Sequence, residues 1–186
     1  MPPIVDTPAF LRDGYLIARG LLTDAETDLL SRVAHADRAM SESAYGRKDA
    51  QGLPVTLALR NDLADDIYGA IARSRKVAGS MESLLSGEVY HYHHKLILKE
   101  PRVGGAWEWH QDYGYWYHNG CVFPYMASVM VALDHSTREN GCLQVLRGSH
   151  RGPAGDPGFH GCSYPGATRG SVSMCPAYRS VRFTSK

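Results

Sequence analysis

At 186 residues with 44% hydrophobic content, the chain is long enough to bury one sizeable core and too short for two comfortable ones, so a single core is expected. The 20 Lys and Arg residues nearly balance the 19 Asp and Glu, and no long run of one sign occurs; this argues against a nucleic-acid footprint or a polybasic membrane patch and for a small-molecule substrate. No stretch approaches the roughly 18 apolar residues that cross a bilayer, and the first residues lack a signal-peptide pattern, so the expected location is the cytoplasm.

Residues 14–19 form a short extended apolar run, a strand candidate. The sequence Thr23-Asp-Ala-Glu26 is a capping box, which predicts a helix running to about Asp37 with Ala25, Leu29, Leu30 and Val33 on its buried face. A looser region covers 40–53. Residues 62–85 return to helical spacing, as two helices broken near Ser74.

Beyond Gly87 the period becomes that of a strand. Residues 89–99 are rich in aromatic and branched side chains, and a Gly104-Gly105 loop leads to a second strand candidate at 106–112. Residues 126–134 predict a third strand, joined through a turn at 136–141 to a fourth at 142–146. Helices followed by strands in hairpins indicate an α+β chain with a mainly antiparallel core. Residues 153–186 are rich in Gly, Pro and Ser without a clear period and read as an irregular tail, with a short strand possible only at 180–183. The four cysteines, Cys121, Cys142, Cys162 and Cys175, have no CxxC spacing and read as reduced thiols.

Residues two apart on a strand share a face, so His110 and Asp112 can converge on one metal ion. An imidazole and a carboxylate, joined by a distant second His, leave open positions on Fe(II), as oxygen chemistry requires. The spacing alone is weak evidence, and a structural His-Asp pair is its plain alternative. Among His91, His93 and His94, strand alternation sets the first two opposite the third, so the three cannot share one metal. Tyr113, Tyr115, Trp116 and Tyr117 follow the motif, where they line a substrate mouth or pack at a rim.

Taken together, Trp109-His-Gln-Asp112, the run from Val131 through Glu139-Asn-Gly141 to Val145, and Gly148-Ser-His150 resemble the phytanoyl-CoA dioxygenase family of Fe(II)/2-oxoglutarate oxygenases. The start, Phe10-Leu-Arg-Asp-Gly-Tyr15, is similar to the family's entry segment, and the match covers about residues 9–152. The resemblance implies a double-stranded β-helix (jelly-roll or cupin-like) braced by N-terminal helices, occupying residues 1–152. It implies His110 and Asp112 as iron ligands and Lys95, Gln111 and Met130 beside the 2-oxoglutarate cosubstrate. His150 is not a ligand in such a family.

The family's third ligand and its 2-oxoglutarate-clamping Arg lie further on, in a context this chain lacks. His160 is the downstream candidate ligand, with Arg169 or Arg179 as candidate clamp, and the last strands of the core are expected to be missing. The change in composition after about Gly152 suggests truncation, alternative splicing or a shifted frame. The implied activity is hydroxylation of a small organic substrate with dioxygen. The alternative is a non-catalytic β-helix domain that has lost its third ligand and binds a ligand or partner.

Overall fold

The computed structural model describes residues 5–48, 52–98, 105, 107–111, 116–117, 119–121, 123, 125–151, 172–176 and 180–183; for 47, 107–111 and everything beyond 171 the description is of backbone alone. The chain enters through helix α1 (Thr7–Asp13), which starts where Asp6 Oδ1 accepts the Ala9 N–H. It ends at Gly14, whose φ of 71° lies in the left-handed region and whose N–H donates to Phe10 O. Strand β1 (Leu16–Ala18) follows, then α2 (Asp24–Ala36).

Both halves of the capping box form at α2: the Glu26 N–H donates to Thr23 Oγ1 at 3.3 Å and the Thr23 N–H to Glu26 Oε2 at 2.7 Å. Lys76 Nζ reaches the same carboxylate oxygen, tying the helix start to a later turn, and Lys76 first, then Thr23, holds the Glu26 carboxyl below its ordinary range. Replacing Thr23 by Ala should lower stability by about 1 kcal/mol in urea unfolding, while Thr23→Ser should keep most of it. The buried face of α2 is Thr27, Leu30, Ser31 and Ala34, whereas Ala25 and Leu29 are exposed. The face is rotated from the apolar pattern because two small hydroxyl residues fit the close approach. Thr27 also satisfies its own hydroxyl on Thr23 O.

The loose region 40–53 holds the end of α3 (Arg38–Glu42) and β2 (Tyr45–Lys48), and β3 (Pro54–Arg60) follows it. Helices α4 (Ile67–Arg73) and α5 (Ala78–Leu85) break at Ser74, as the spacing predicts. Then come β4 (His94–Leu98), β5 (Trp107–Gln111), β6 (Ala127–Val131), β7 (Leu143–Val145), a 3-10 turn (Ser149–Arg151), β8 (Val172–Pro176) and β9 (Ser180–Phe183). The first of these is shorter than expected, since 89–93 are not strand. No helix among the described residues is long and apolar enough to cross a membrane.

Among the described residues the strands form three antiparallel sheets of three, ordered β2-β3-β4, β1-β8-β6 and β5-β9-β7. The expected hairpin of β6 with β7 does not form: β6 pairs with β8 and β7 with β9, so the turn between them carries the chain from one sheet to another. Two strands lie in the segment read as irregular, and each is the middle strand of its sheet. The strand β8, Val-Ser-Met-Cys-Pro, carries only a short alternation of Val172 and Met174 before the proline; pairing on both sides, with Pro176 at its end, makes it a strand. The segment after Gly152 thus contributes β8 in addition to the short strand expected at 180–183.

The helices cover one side of two sheets. Phe10, Leu22, Leu30, Met81 and Leu84 form a core on which Leu16, Ala18, Ala127, Val129 and Val131 pack. A second core of Ala34, Met40, Ala58 and Leu96 joins α2 and α3 to the β2-β3-β4 sheet. Because strands alternate, the residues between these point away from the helices.

Candidate metal and cosubstrate site

Strand β5 carries the first half of the candidate metal motif. His110 stands opposite Val181 of β9 and Gln111 opposite Ser180, after a register shift between Trp107 and His110. The strand ends at Gln111, while Asp112 and His160, like Arg169 and Arg179, lie outside the described residues. On the next strand over, Val145 of β7 also pairs with Val181. The backbone register of His110 is thus fixed by a strand that the sequence pattern only hinted at.

Lys95 pairs with Leu59 and is exposed. Its neighbour Leu96 packs in the helical core, so Lys95 and Ile97 take the opposite sheet face, with the buried Val55 and Leu57 of β3 on that same side. Met130 pairs with Ser173, and since Val129 and Val131 pack on the helices, Met130 also faces away from them. Lys95, Met130 and the His110-Gln111 pair lie in three different sheets. The two described side chains, Lys95 and Met130, share the side of the molecule turned from the helical layer.

The histidine-rich segment before β4 departs from simple alternation. Because 91–93 are not strand, His91 and His94 come together: Nδ1 of His94 lies 3.2 Å from Nε2 of His91. His94 also stacks on Tyr68 of α4, with centroids 5.9 Å apart and planes at 26°. Tyr68 donates to Asp37 Oδ2, and its hydroxyl pKa is pushed up to about 12, first by burial and then by that bond. His93 turns elsewhere and meets Trp116. Among the described residues no group of three His, Cys, Asp or Glu side chains is placed to hold a metal.

Burial first, and then a nearby cation (Arg73 for His91) or the other imidazole (His91 for His94), lowers the pKa of both rings of the pair. Nε2 of His94 is buried without a hydrogen-bond partner, so a charge there is poorly solvated. An unfolded chain takes up these protons near the ordinary imidazole value of about 6.5 and the folded chain only at lower pH, so stability falls with acidification through that window. Thermal unfolding midpoints measured from pH 7.5 to 5 should therefore drop. The drop should shrink in His94→Phe, in which no buried imidazole remains to be charged at that position.

The Gly148-Ser-His150 loop docks on the end of α1. His150 Nε2 lies 2.9 Å from Leu11 O, Arg151 Nη2 donates to the same carbonyl, and the Gly148 N–H donates to Asp13 O. Arg147 joins Arg12 on the Asp13 carboxylate, and these two guanidiniums, Arg12 foremost, bring its pKa down to about 2. Helix-end carbonyls need such partners. This role joins residues 139 positions apart, and nothing local in the sequence announces it.

A family model described as phytanoyl-CoA dioxygenase (PhyH) matches residues 10–167. The chain belongs to the PhyH family. Among curated PhyH-like relatives, L-proline trans-4-hydroxylase of Streptomyces griseoviridis is 38% identical over 86 residues, 46% of this chain and 32% of that protein. Ectoine dioxygenase of Sphingopyxis alaskensis is 27% identical over 147 residues, covering 77% of this chain and 48% of that one. The chain thus spans about half the length of these relatives or less. The crystal structure of EctD from S. alaskensis with bound Fe superposes with a TM-score of 0.84 at 22% identity, over 99% of this chain and 72% of that one. EctD with 2-oxoglutarate and 5-hydroxyectoine superposes with a TM-score of 0.83 at 23% identity, over 99% and 71%. The fold of this chain is therefore that of the EctD structures, and the family match runs past Gly152 into the segment of irregular composition.

Proposed function

We propose that the chain is an Fe(II)- and 2-oxoglutarate-dependent dioxygenase, or a piece of one, built on a double-stranded β-helix and hydroxylating a small organic molecule. The observation that carries this reading is the His110-Gln-Asp112 tripeptide at the end of β5, inside the family match. The donor chemistry fits: one imidazole and one carboxylate, two positions apart, suit Fe(II) with further positions left open. In this reading His110 and Asp112 hold the iron, and His160 is the third-ligand candidate of this chain. The side chain of Lys95 offers a cation to a carboxylate of 2-oxoglutarate, with Gln111 and Met130 beside it.

When bound, iron and 2-oxoglutarate supply the oxidising chemistry: dioxygen converts 2-oxoglutarate to succinate and carbon dioxide and places its second oxygen in a substrate C–H bond. The residues of the chain fix the ligands, orient the cosubstrate carboxylate and keep bulk water from the reacting carbon. The names of the relatives make L-proline and ectoine the first probes. Incubation with Fe(II), 2-oxoglutarate and either probe should give succinate and a hydroxylated product in equal amounts. Iron-independent turnover, or no succinate with a product-forming substrate, would refute the assignment. Lys95→Ala should raise the apparent KM for 2-oxoglutarate by roughly 10-fold or more, the loss of one charge-assisted bond, with iron affinity unchanged.

A further inference from the structure

Of the five consecutive rings from Tyr90 to His94 at the entry to β4, Tyr92 and His93, flanked by His91 and His94, divide with them into two groups. The flanking imidazoles meet each other, and His94 stacks on Tyr68 of α4. The middle two turn to Trp116. Tyr92 meets the indole edge-on, with centroids 4.9 Å apart and planes at 77°. His93 lies 5.0 Å from it at 40°, and Tyr92 and His93 contact each other at 5.5 Å. Trp116 follows the metal motif closely, four positions beyond Asp112.

Such a cluster differs from ordinary packing. Tyr92 is 52% exposed, so its contact with the indole does little to remove apolar surface from water. What two rings at fixed angles do is restrict the orientation of a third. The segment bearing them is itself held from behind, because the His91–His94 contact and the Tyr68 stack pin it to a helix before it enters β4. Order thus passes from the helical layer, through the pinned His91–His94 segment, to a tryptophan four positions beyond the motif in the chain.

We infer that Tyr92 and His93 are positioning residues that set the orientation of Trp116 and, through it, the substrate side of the site proposed at His110 and Asp112. The functional half of this inference rests on the proposed iron site; the ring geometry does not. In that reading Tyr92 and His93 act on substrate binding through Trp116, leaving iron and cosubstrate binding alone.

The protein holds three tryptophans, so labelling with 5-fluorotryptophan gives three fluorine resonances, and Trp116→Phe identifies one of them. Tyr92→Leu and His93→Leu should each move the Trp116 resonance toward that of the free amino acid and leave the other two in place. Tyr92→Phe, which keeps the ring, should restore the original position. A Trp116 resonance that stays put in both leucine variants overturns the inference, as does a movement of all three resonances that Tyr92→Phe fails to reverse. With L-proline as the turnover probe, both leucine variants should raise the substrate KM several-fold while substrate-free 2-oxoglutarate consumption is unchanged; a fall in kcat at constant KM overturns the functional half. If the parent chain consumes no 2-oxoglutarate, the iron reading fails, and the fluorine spectra still decide the ring contact.

Discussion

Gly14→Ala should destabilise the protein by about 2–5 kcal/mol. Two effects combine. At a φ of 71° an L side chain is strained by roughly 1–2 kcal/mol. The new methyl would also overlap the His150 imidazole, which sits over this glycine and bonds the Leu11 carbonyl. Overpacking of that kind costs about 1–3 kcal/mol. Denaturant unfolding checks the total. The double variant Gly14→Ala/His150→Ala, compared with His150→Ala alone, separates the parts, because without the ring only the backbone strain of the alanine remains between the two. A wild-type midpoint in Gly14→Ala would show that the loop does not clamp α1.

His110→Ala should reduce iron-dependent succinate formation to background. Removing an outer partner of a metal ligand already costs roughly 10–100-fold, and removing a ligand itself should exceed that. The change should leave folding intact, because the register of β5 is held by backbone pairing with β9. Asp112→Asn provides the companion test, keeping the size of the side chain while discarding the charge that the iron needs. Near-normal turnover in either variant would remove that residue from the site.

The parts of this molecule that were legible in its sequence are those governed by neighbouring residues. The α2 capping box lies within four positions and was readable as a helix start, and the break at Ser74 followed from a lapse in helical spacing. Strand β3 was missed because it starts at a proline in a polar surrounding, and what makes it a strand is pairing with β2 and β4. The same holds for β8, whose Val-Ser-Met alternation is too short to stand out and ends at a proline. The rotated face of α2 shows the other limit, since Thr27 and Ser31 are buried for fit and hydrogen bonding rather than for hydrophobicity.

Candidate site residues divide in the same way. The His110-Gln-Asp112 spacing is local and was seen at once. Alternation correctly set His93 apart from His94, yet it wrongly set His91 apart as well, because the segment is not extended before His94. That Lys95 and Met130 both turn from the helices depends on which faces of β4 and β6 the helical cores cover, a matter of tertiary packing. The clamp of His150 on α1 and the rings around Trp116 join distant residues, and no short pattern encodes them.

Anaerobic titration of Fe(II) into the protein with 2-oxoglutarate, followed by visible absorption, addresses the metal assignment without needing the substrate. The wild-type chain should develop a weak charge-transfer band toward the red end of the spectrum, saturating at one iron per chain, and His110→Ala and Asp112→Asn should not. A chain that binds no iron, or a band that survives both substitutions, would contradict the assignment of these two residues as ligands.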